Sequence, residues 1–219
     1  MVAELLLLVI SGINEFGESG ARQTAEIVKS IIIEKTKKNR TKLVYSELIG
    51  REINHISVKK KLMHVANYLK EPNRKAMIYY NGHGNQTRDT NSDEADGKDE
   101  YWSLMGGGIM LDDEISLIFN SINEDSFLFM VSDCCSSGTM IDRSLNNRPW
   151  ILLSSSQDNQ DSLASSSGGI FTQFGLIPAI KQYDTIKNIN DYIQKNIDIP
   201  TQTFRLEVTR NSLLEQKLF

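Results

Sequence analysis

Phe127-Leu128-Phe129-Met130-Val131 is an unbroken apolar run of strand length, followed at once by Ser132-Asp133-Cys134-Cys135-Ser136-Ser137-Gly138, a turn of small and polar residues. Outward from this stretch, short apolar runs alternate with segments of helical period. Towards the amino end, Ala76–Tyr80, Lys42–Tyr45 and Leu5–Ile10 read as strands, with helices predicted over Ser57–Leu69 and Thr24–Lys35 between them. Before Phe127 lies a helical stretch, Asp112–Ile122. After it come a strand at Trp150–Leu153, helices at Ile170–Lys181 and Ile186–Asn196, and a strand of alternating polarity at Thr203–Val208. Such alternation predicts an α/β protein whose mainly parallel central sheet is flanked by helices on both faces. The polar alternation of the last strand suits a sheet edge and is compatible with an antiparallel one.

Composition narrows the function. The chain has 219 residues, 24 Lys+Arg against 28 Asp+Glu, a formal net charge of −4 and 40% hydrophobic residues. That length suits one sizeable domain with a real core. Mild acidity argues against nucleic acid as a partner, because phosphate affinity needs a concentrated basic surface. The two cysteines are adjacent, so no ordinary disulfide framework exists and a reducing compartment is expected. Leu5–Ile10, the longest apolar run, is too short to cross a bilayer and lacks the flanks of a signal peptide. The expectation is a cytoplasmic protein without membrane attachment.

Two stretches break the alternation. Asn85–Gly108 is long, acidic and ends in Gly106-Gly107-Gly108, and Gln157–Gly169 is rich in Ser, Asp and Gly. Connections of this length inside a compact domain tend to carry function. The run Lys59-Lys60-Lys61 reads as a solvated helix face.

Ligands of open α/β sheets gather beyond the carboxyl ends of the strands. Two such ends carry reactive side chains: Tyr79-Tyr80-Asn81-Gly82-His83-Gly84, and the Asp133–Gly138 turn. A thiol and an imidazole at neighbouring strand ends can act as nucleophile and proton carrier. Backbone N–H groups beside them can hold an oxyanion. His55 and His64 lack a glycine turn and read as surface residues.

In order along the chain, Tyr79-Tyr80-Asn81-Gly82-His83-Gly84, Asp93-Glu94-Ala95-Asp96-Gly97-Lys98-Asp99-Glu100, Leu111-Asp112-Asp113-Glu114 and Asp133-Cys134-Cys135-Ser136-Ser137-Gly138-Thr139 resemble the motifs of metacaspases. These are caspase-like cysteine peptidases of the caspase–haemoglobinase fold, an α/β/α sandwich. Ser154-Ser155-Ser156-Gln157, the Gly168-Gly169 helix start and Gln202–Thr209 are similar to that family's carboxyl-terminal part, so the resemblance covers nearly the whole chain. It implies one peptidase domain over 1–219 without a prodomain. Residues 1–142 form its larger part, 149–219 its smaller part, and 143–148 a short connection in which Arg143 and Arg148 are candidate self-cleavage sites. A monomer is expected.

The resemblance also assigns roles. Cys135 becomes the nucleophile, His83 the base and later acid, and Gly84 a source of oxyanion-holding N–H together with Cys135. Cys134 becomes a pocket neighbour. Ser136 stands where the family commonly has a histidine, a position that is not the catalytic base. Asp133, flanked by Asn81, would select substrates with Arg or Lys at the scissile position through a charge-assisted hydrogen bond. A second acidic pocket residue expected near the first helix has Glu26 as its candidate, whereas Arg22 in the same stretch favours an Asp-preferring caspase-like specificity. Asp99, Asp112, Asp113 and Asp142 match the residues that bind activating Ca2+ in the family, an ion that takes six to eight oxygen ligands. The alternative for Asp112 and Asp113 is capping of the helix they begin. A non-catalytic caspase-like binding module is the remaining alternative, opposed by the presence of both His83 and Cys135.

Overall fold

The computed structural model describes residues 3–12, 18–92, 94, 96–142 and 147–219. Its centre is a six-stranded sheet of β1 (Glu4–Ser11), β2 (Lys42–Ile49), β3 (Lys75–Asn81), β7 (Phe127–Asp133), β8 (Trp150–Ser154) and β11 (Arg205–Val208), in the spatial order β11-β8-β7-β3-β1-β2. All neighbours are parallel except β11, which pairs antiparallel with β8 at the edge. The apolar runs are thus central strands and the polar-alternating one is the antiparallel edge, as their sequences require.

Because side chains alternate across a strand, each central strand feeds two cores. Leu6, Leu8 and Ile10 of β1, Ile78 and Tyr80 of β3, and Met130 of β7 join one cluster. That cluster is closed by α2 (His55–Leu69) and α3 (Asp112–Phe119), through Leu62, Val65, Ile115 and Phe119. Leu5, Leu7, Met77, Tyr79, Phe129 and Val131 join the other, under α1 (Glu18–Lys38), α4 (Ile177–Gln182) and α5 (Ile186–Asn196). A π-helical stretch, Phe171–Leu176, leads directly into α4. The Asn54 side chain accepts from Ser57 N while the Ser57 side chain accepts from Asn54 N, a reciprocal cap that sets where α2 begins.

The acidic stretch after His83 is more ordered than its composition suggests. It contains β4 (His83–Arg88), β5 (Lys98–Ser103) and β6 (Ile109–Leu111), a separate antiparallel sheet in the order β4-β5-β6. β4 is almost wholly polar, so its own sequence gives no strand signal; pairing with β5 holds it. The sheet is anchored by Trp102, whose ring stacks on Tyr80 at 4.3 Å between centroids and whose indole N–H donates to Ser132 Oγ at 2.9 Å. A final two-stranded piece, β9 (Ala164–Ser165) with β10 (Gly168–Gly169), leads into the helical stretch that begins at Ile170.

Candidate active site

β3 and β7 end in register, with Asn81 paired opposite Asp133. Beyond these ends opens a small cleft. Asn81, Gly82 and His83 line one side, Asp133, Cys134 and Cys135 another, and Ser162, Leu163, Ala164 and Gly169 face them. The two strand ends singled out by their chemistry therefore share one cavity.

His83 begins β4 and is exposed, so its ring is available to the cleft. Its backbone is held from below: Tyr80 Oη donates to the His83 carbonyl at 2.7 Å and lies 3.1 Å from that of Ser103. Gly84 sits hard against the cysteine turn. A β-carbon there would lie 2.1 Å from the Cys135 carbonyl oxygen and 2.7 Å from Cys134 Sγ.

The adjacent cysteines are set in different surroundings. Cys134 is buried in the α2/α3 core, with Sγ 3.4 Å from Ser132 Oγ. Burial pushes its thiol well above the usual range, so it stays protonated and inert. Cys135 is half-buried at the cleft wall, and its sulfur accepts the Ser162 N–H at 3.3 Å. The turn that presents it is held by the Ser155 and Ser156 hydroxyls, which donate to the Cys134 carbonyl at 3.2 and 3.0 Å. Ser136 adopts φ 46° and donates its N–H to the Gln160 carbonyl at 2.9 Å.

Asp133 is buried beneath the cleft. Ser162 Oγ and Thr172 Oγ1 donate to its two oxygens at 3.1 and 2.5 Å. Burial raises its pKa, and these hydrogen bonds oppose the rise. Gly169 leaves room for the carboxylate, since a β-carbon there would meet Oδ2 at 2.2 Å. Asn81 donates to the Ala21 carbonyl and to Thr24 Oγ1, at 2.9 and 2.8 Å, which leaves its Oδ1 buried without a hydrogen-bond partner among the described residues. A buried carboxylate beside an orphaned buried acceptor is a pair of sites for a donor-rich cation. Glu26 does not line this cleft; it pairs with Lys29 at 2.8 Å. Arg22 is exposed on α1 and does not line it either.

The expected metal residues lie behind the cysteine turn. Asp112 is buried, accepting the Glu100 N–H at Oδ2 (2.9 Å) and the Asp113 N–H at Oδ1 (2.8 Å). The cap position of α3 is Leu111, which makes no side-chain capping bond, so Asp112 contacts only the N–H of its next neighbour there. Burial foremost, with the charges of Glu100 and Asp113 behind it, pushes its carboxyl up to about 8. Asp113 accepts from Asn91 Nδ2 at 2.8 Å, and its pKa is raised by burial and then by the nearby charges of Asp142 and Asp89. Asp142 donates its N–H to Ser116 Oγ at 2.7 Å. Asp99 is buried in β5.

Around Asp112 the structure gathers two residues that sequence reasoning passed over. Carboxylate oxygens of Glu94, Glu100 and Asp112 lie within 4.8 Å of one another. Asp99 is not part of that trio. In the sequence, Glu94 and Glu100 stand in the acidic stretch that resembles a family motif, and take no assigned role there because such a stretch reads equally as a solvated loop. The donor set is all oxygen and two of its three carboxylates are buried, a chemistry that suits a hard cation such as Ca2+. Asp93 and Arg143 lie outside the described residues. Arg148 is tied down, donating to the Asn120 carbonyl at 3.0 Å and to Glu124 at 2.5 Å. His64 is exposed, whereas His55 is engaged with Glu114 at 2.7 Å.

Fold and cleft define a caspase-like domain: a parallel sheet with histidine and cysteine at adjoining strand ends. The crystal structure of protein GSU0716 from Geobacter sulfurreducens shares the fold, with a TM-score of 0.75 over 98% of this chain and 97% of that one, at 21% identity. Residues 8–144 match the family model described as metacaspase, peptidase C14 domain. Metacaspase-1B of Neurospora crassa is 28% identical over 188 residues, covering 80% of this chain and 41% of the relative. Metacaspase-1A of the same fungus is 30% identical over 117 residues, covering 52% and 24%, and metacaspase-3 of Arabidopsis thaliana 27% over 145 residues, covering 61% and 40%. The chain thus spans between a quarter and two-fifths of the length of these relatives. It belongs to the metacaspase family.

Proposed function

We propose that this chain is a cysteine endopeptidase that cleaves after Arg or Lys and responds to Ca2+. The observation that carries the reading is the shared cleft, in which the buried Asp133 carboxylate and the orphaned Asn81 Oδ1 lie beside Cys135 and His83. A guanidinium or ammonium entering there would donate to both acceptors. An aspartyl side chain would meet a like charge on Asp133, which disfavours the Asp-preferring alternative.

In the reaction, the Cys135 thiolate attacks the scissile carbonyl carbon and the carbonyl π electrons move to oxygen. The N–H groups of Cys135 and Gly84 hold the oxyanion. Its collapse breaks the C–N bond as His83 gives its proton to the departing amine, leaving a thioester on Cys135. Water then adds to the thioester, losing its proton to His83, and the second oxyanion collapses to release the carboxylic acid and the thiolate. Cys134, buried and protonated, takes no chemical part.

A bound Ca2+ would supply positive charge to this carboxylate cluster. Asp112 and Asp113, with Glu94, Glu100, Asp99 and Asp142 around them, are the residues that would hold it. The larger and smaller parts of the chain, on either side of 143–148, would then act as one monomeric cytoplasmic domain on protein substrates. No helix among the described residues is long and apolar enough to cross a membrane.

The test is cleavage of fluorogenic peptides ending in Arg, Lys or Asp, with Ca2+ or chelator, beside Cys135→Ala. Calcium-dependent release after Arg or Lys, lost in the variant, is the expected result. Release after Asp would overturn the role given to Asp133. No release, with Cys135 unreactive to alkylation, would favour a non-catalytic binding module.

A further inference from the structure

Three segments far apart in sequence meet at one hydroxyl. Thr139, the residue after Gly138, donates through Oγ1 to Glu100 Oε2, and the same oxygen lies 3.1 Å from Asp158 Oδ1. A hydroxyl carries one proton, so it can serve only one of the two carboxylates at a time. Each carboxylate belongs to a different machine.

Glu100 belongs to the acidic cluster. Its N–H donates to Asp112 Oδ2 at 2.9 Å, and its carboxylate oxygens lie in the trio with Glu94 and Asp112. Asp158 belongs to the loop over the cysteine turn. Its Oδ1 lies so close to Gly138 that a β-carbon there would sit 2.2 Å away, and Arg205 approaches its Oδ2 at 3.5 Å. Further along that loop, the Gln160 carbonyl takes the Ser136 N–H at 2.9 Å and Ser162 N–H reaches Cys135 Sγ at 3.3 Å. Polar contacts thus link Asp112 to Asp158 through Glu100 and Thr139, and the short chain segment from Asp158 to Ser162 carries the link on to the nucleophile.

We propose that Thr139 is a positioning residue that couples cation binding in the acidic cluster to the setting of the Cys135 turn. With Ca2+ beside Asp112, the Glu100 carboxylate turns its charge to the ion and the Thr139 hydroxyl turns its proton to Asp158. That contact holds the 157–162 loop more firmly against the turn, and with it the Ser162 N–H that already reaches the sulfur. Without the ion, the hydroxyl stays on Glu100 and the loop is held less firmly. The coupling rests on the calcium reading above.

The experiment compares wild type, Thr139→Val and Thr139→Ser. Calcium uptake is measured by calorimetry, and the rate of Cys135 alkylation by iodoacetamide is measured with Ca2+ and with chelator. Calcium should change the alkylation rate of wild type and Thr139→Ser by about fivefold or more, and that of Thr139→Val by less than about twofold, with uptake of the ion retained in all three. A calcium-induced change in Thr139→Val equal to that of wild type would overturn the coupling and leave the calcium reading intact. Loss of uptake in Thr139→Val would also overturn it, by making Thr139 part of the ion site. Absence of uptake by wild type would overturn the calcium reading and the coupling with it. If circular dichroism shows Thr139→Val unfolded, Asp158→Asn carries the same comparison.

Discussion

Gly84 and Cys135 touch through their backbones: a β-carbon on Gly84 would lie 2.1 Å from the Cys135 carbonyl oxygen, well inside any van der Waals contact. The strand that begins with His83 can approach the nucleophile turn only because residue 84 has no side chain. Gly84→Ala must separate the two strand ends, and a shift of about 1 Å in reacting groups costs about a hundredfold in rate. The expected result is a fall of that order in kcat/KM for an Arg peptide, with an unchanged circular dichroism spectrum.

The two cysteines should differ sharply towards alkylation. Under native conditions one carbamidomethyl group enters per chain, at Cys135, because Cys134 is buried and its thiol is raised by that burial. After unfolding, both label. Peptide mass spectrometry reads the outcome directly, and native labelling of Cys134 would contradict its inert role.

Asp133 gives stability and substrate affinity opposite dependences on pH. Its carboxyl is raised by burial above its ordinary value, so its contribution to folding is full in acid and is lost as the pH rises through its folded pKa. Binding of a guanidinium needs the charged form. Agmatine, cationic throughout, should therefore bind more tightly as the pH rises through the same value. Asp133→Asn removes both trends and weakens agmatine binding by about 2 kcal/mol or more, as expected when one partner of a buried charge pair is lost. Inhibition constants and melting temperatures across pH check the two halves separately.

Tyr80 supports His83 from beneath through its hydroxyl, and its ring carries Trp102. Tyr80→Phe keeps the stack and leaves the His83 and Ser103 carbonyls without this donor. The loss should be about 1–3 kcal/mol of stability, read by urea unfolding. A larger loss in kcat than in KM would be the mark of His83 shifting.

Most of the fold was legible because its signals are local. Leu5–Ile10, Ala76–Tyr80, Phe127–Val131 and Trp150–Leu153 are apolar at every position, and a strand buried on both faces has no other composition. The predicted ends fell within a few residues; α1 begins earlier, at Glu18, and β2 runs on to Ile49. His83-Gly84-Asn85-Gln86-Thr87-Arg88 was not legible as a strand. Nothing in its own side chains asks for one; pairing with β5 and the Tyr80–Trp102 stack impose it. The π-helical stretch at Phe171–Leu176 was read as ordinary helix, since a period of apolar residues does not reveal which carbonyl each N–H selects.

By itself the sequence determined the alternation of strands and helices, the edge place of β11, and the placing of histidine and cysteine after two apolar strands. All of these depend on residues near one another along the chain. Only the tertiary structure decided that the Cys134 thiol is buried while Cys135 is half-exposed at the cleft, and that Asn81 Oδ1 is a buried acceptor without a partner among the described residues. It alone brought Glu100 and Asp158 to the same hydroxyl of Thr139. Burial and hydrogen-bond partnership are set by groups tens of residues away, so they enter only when helices and loops close over the strand ends.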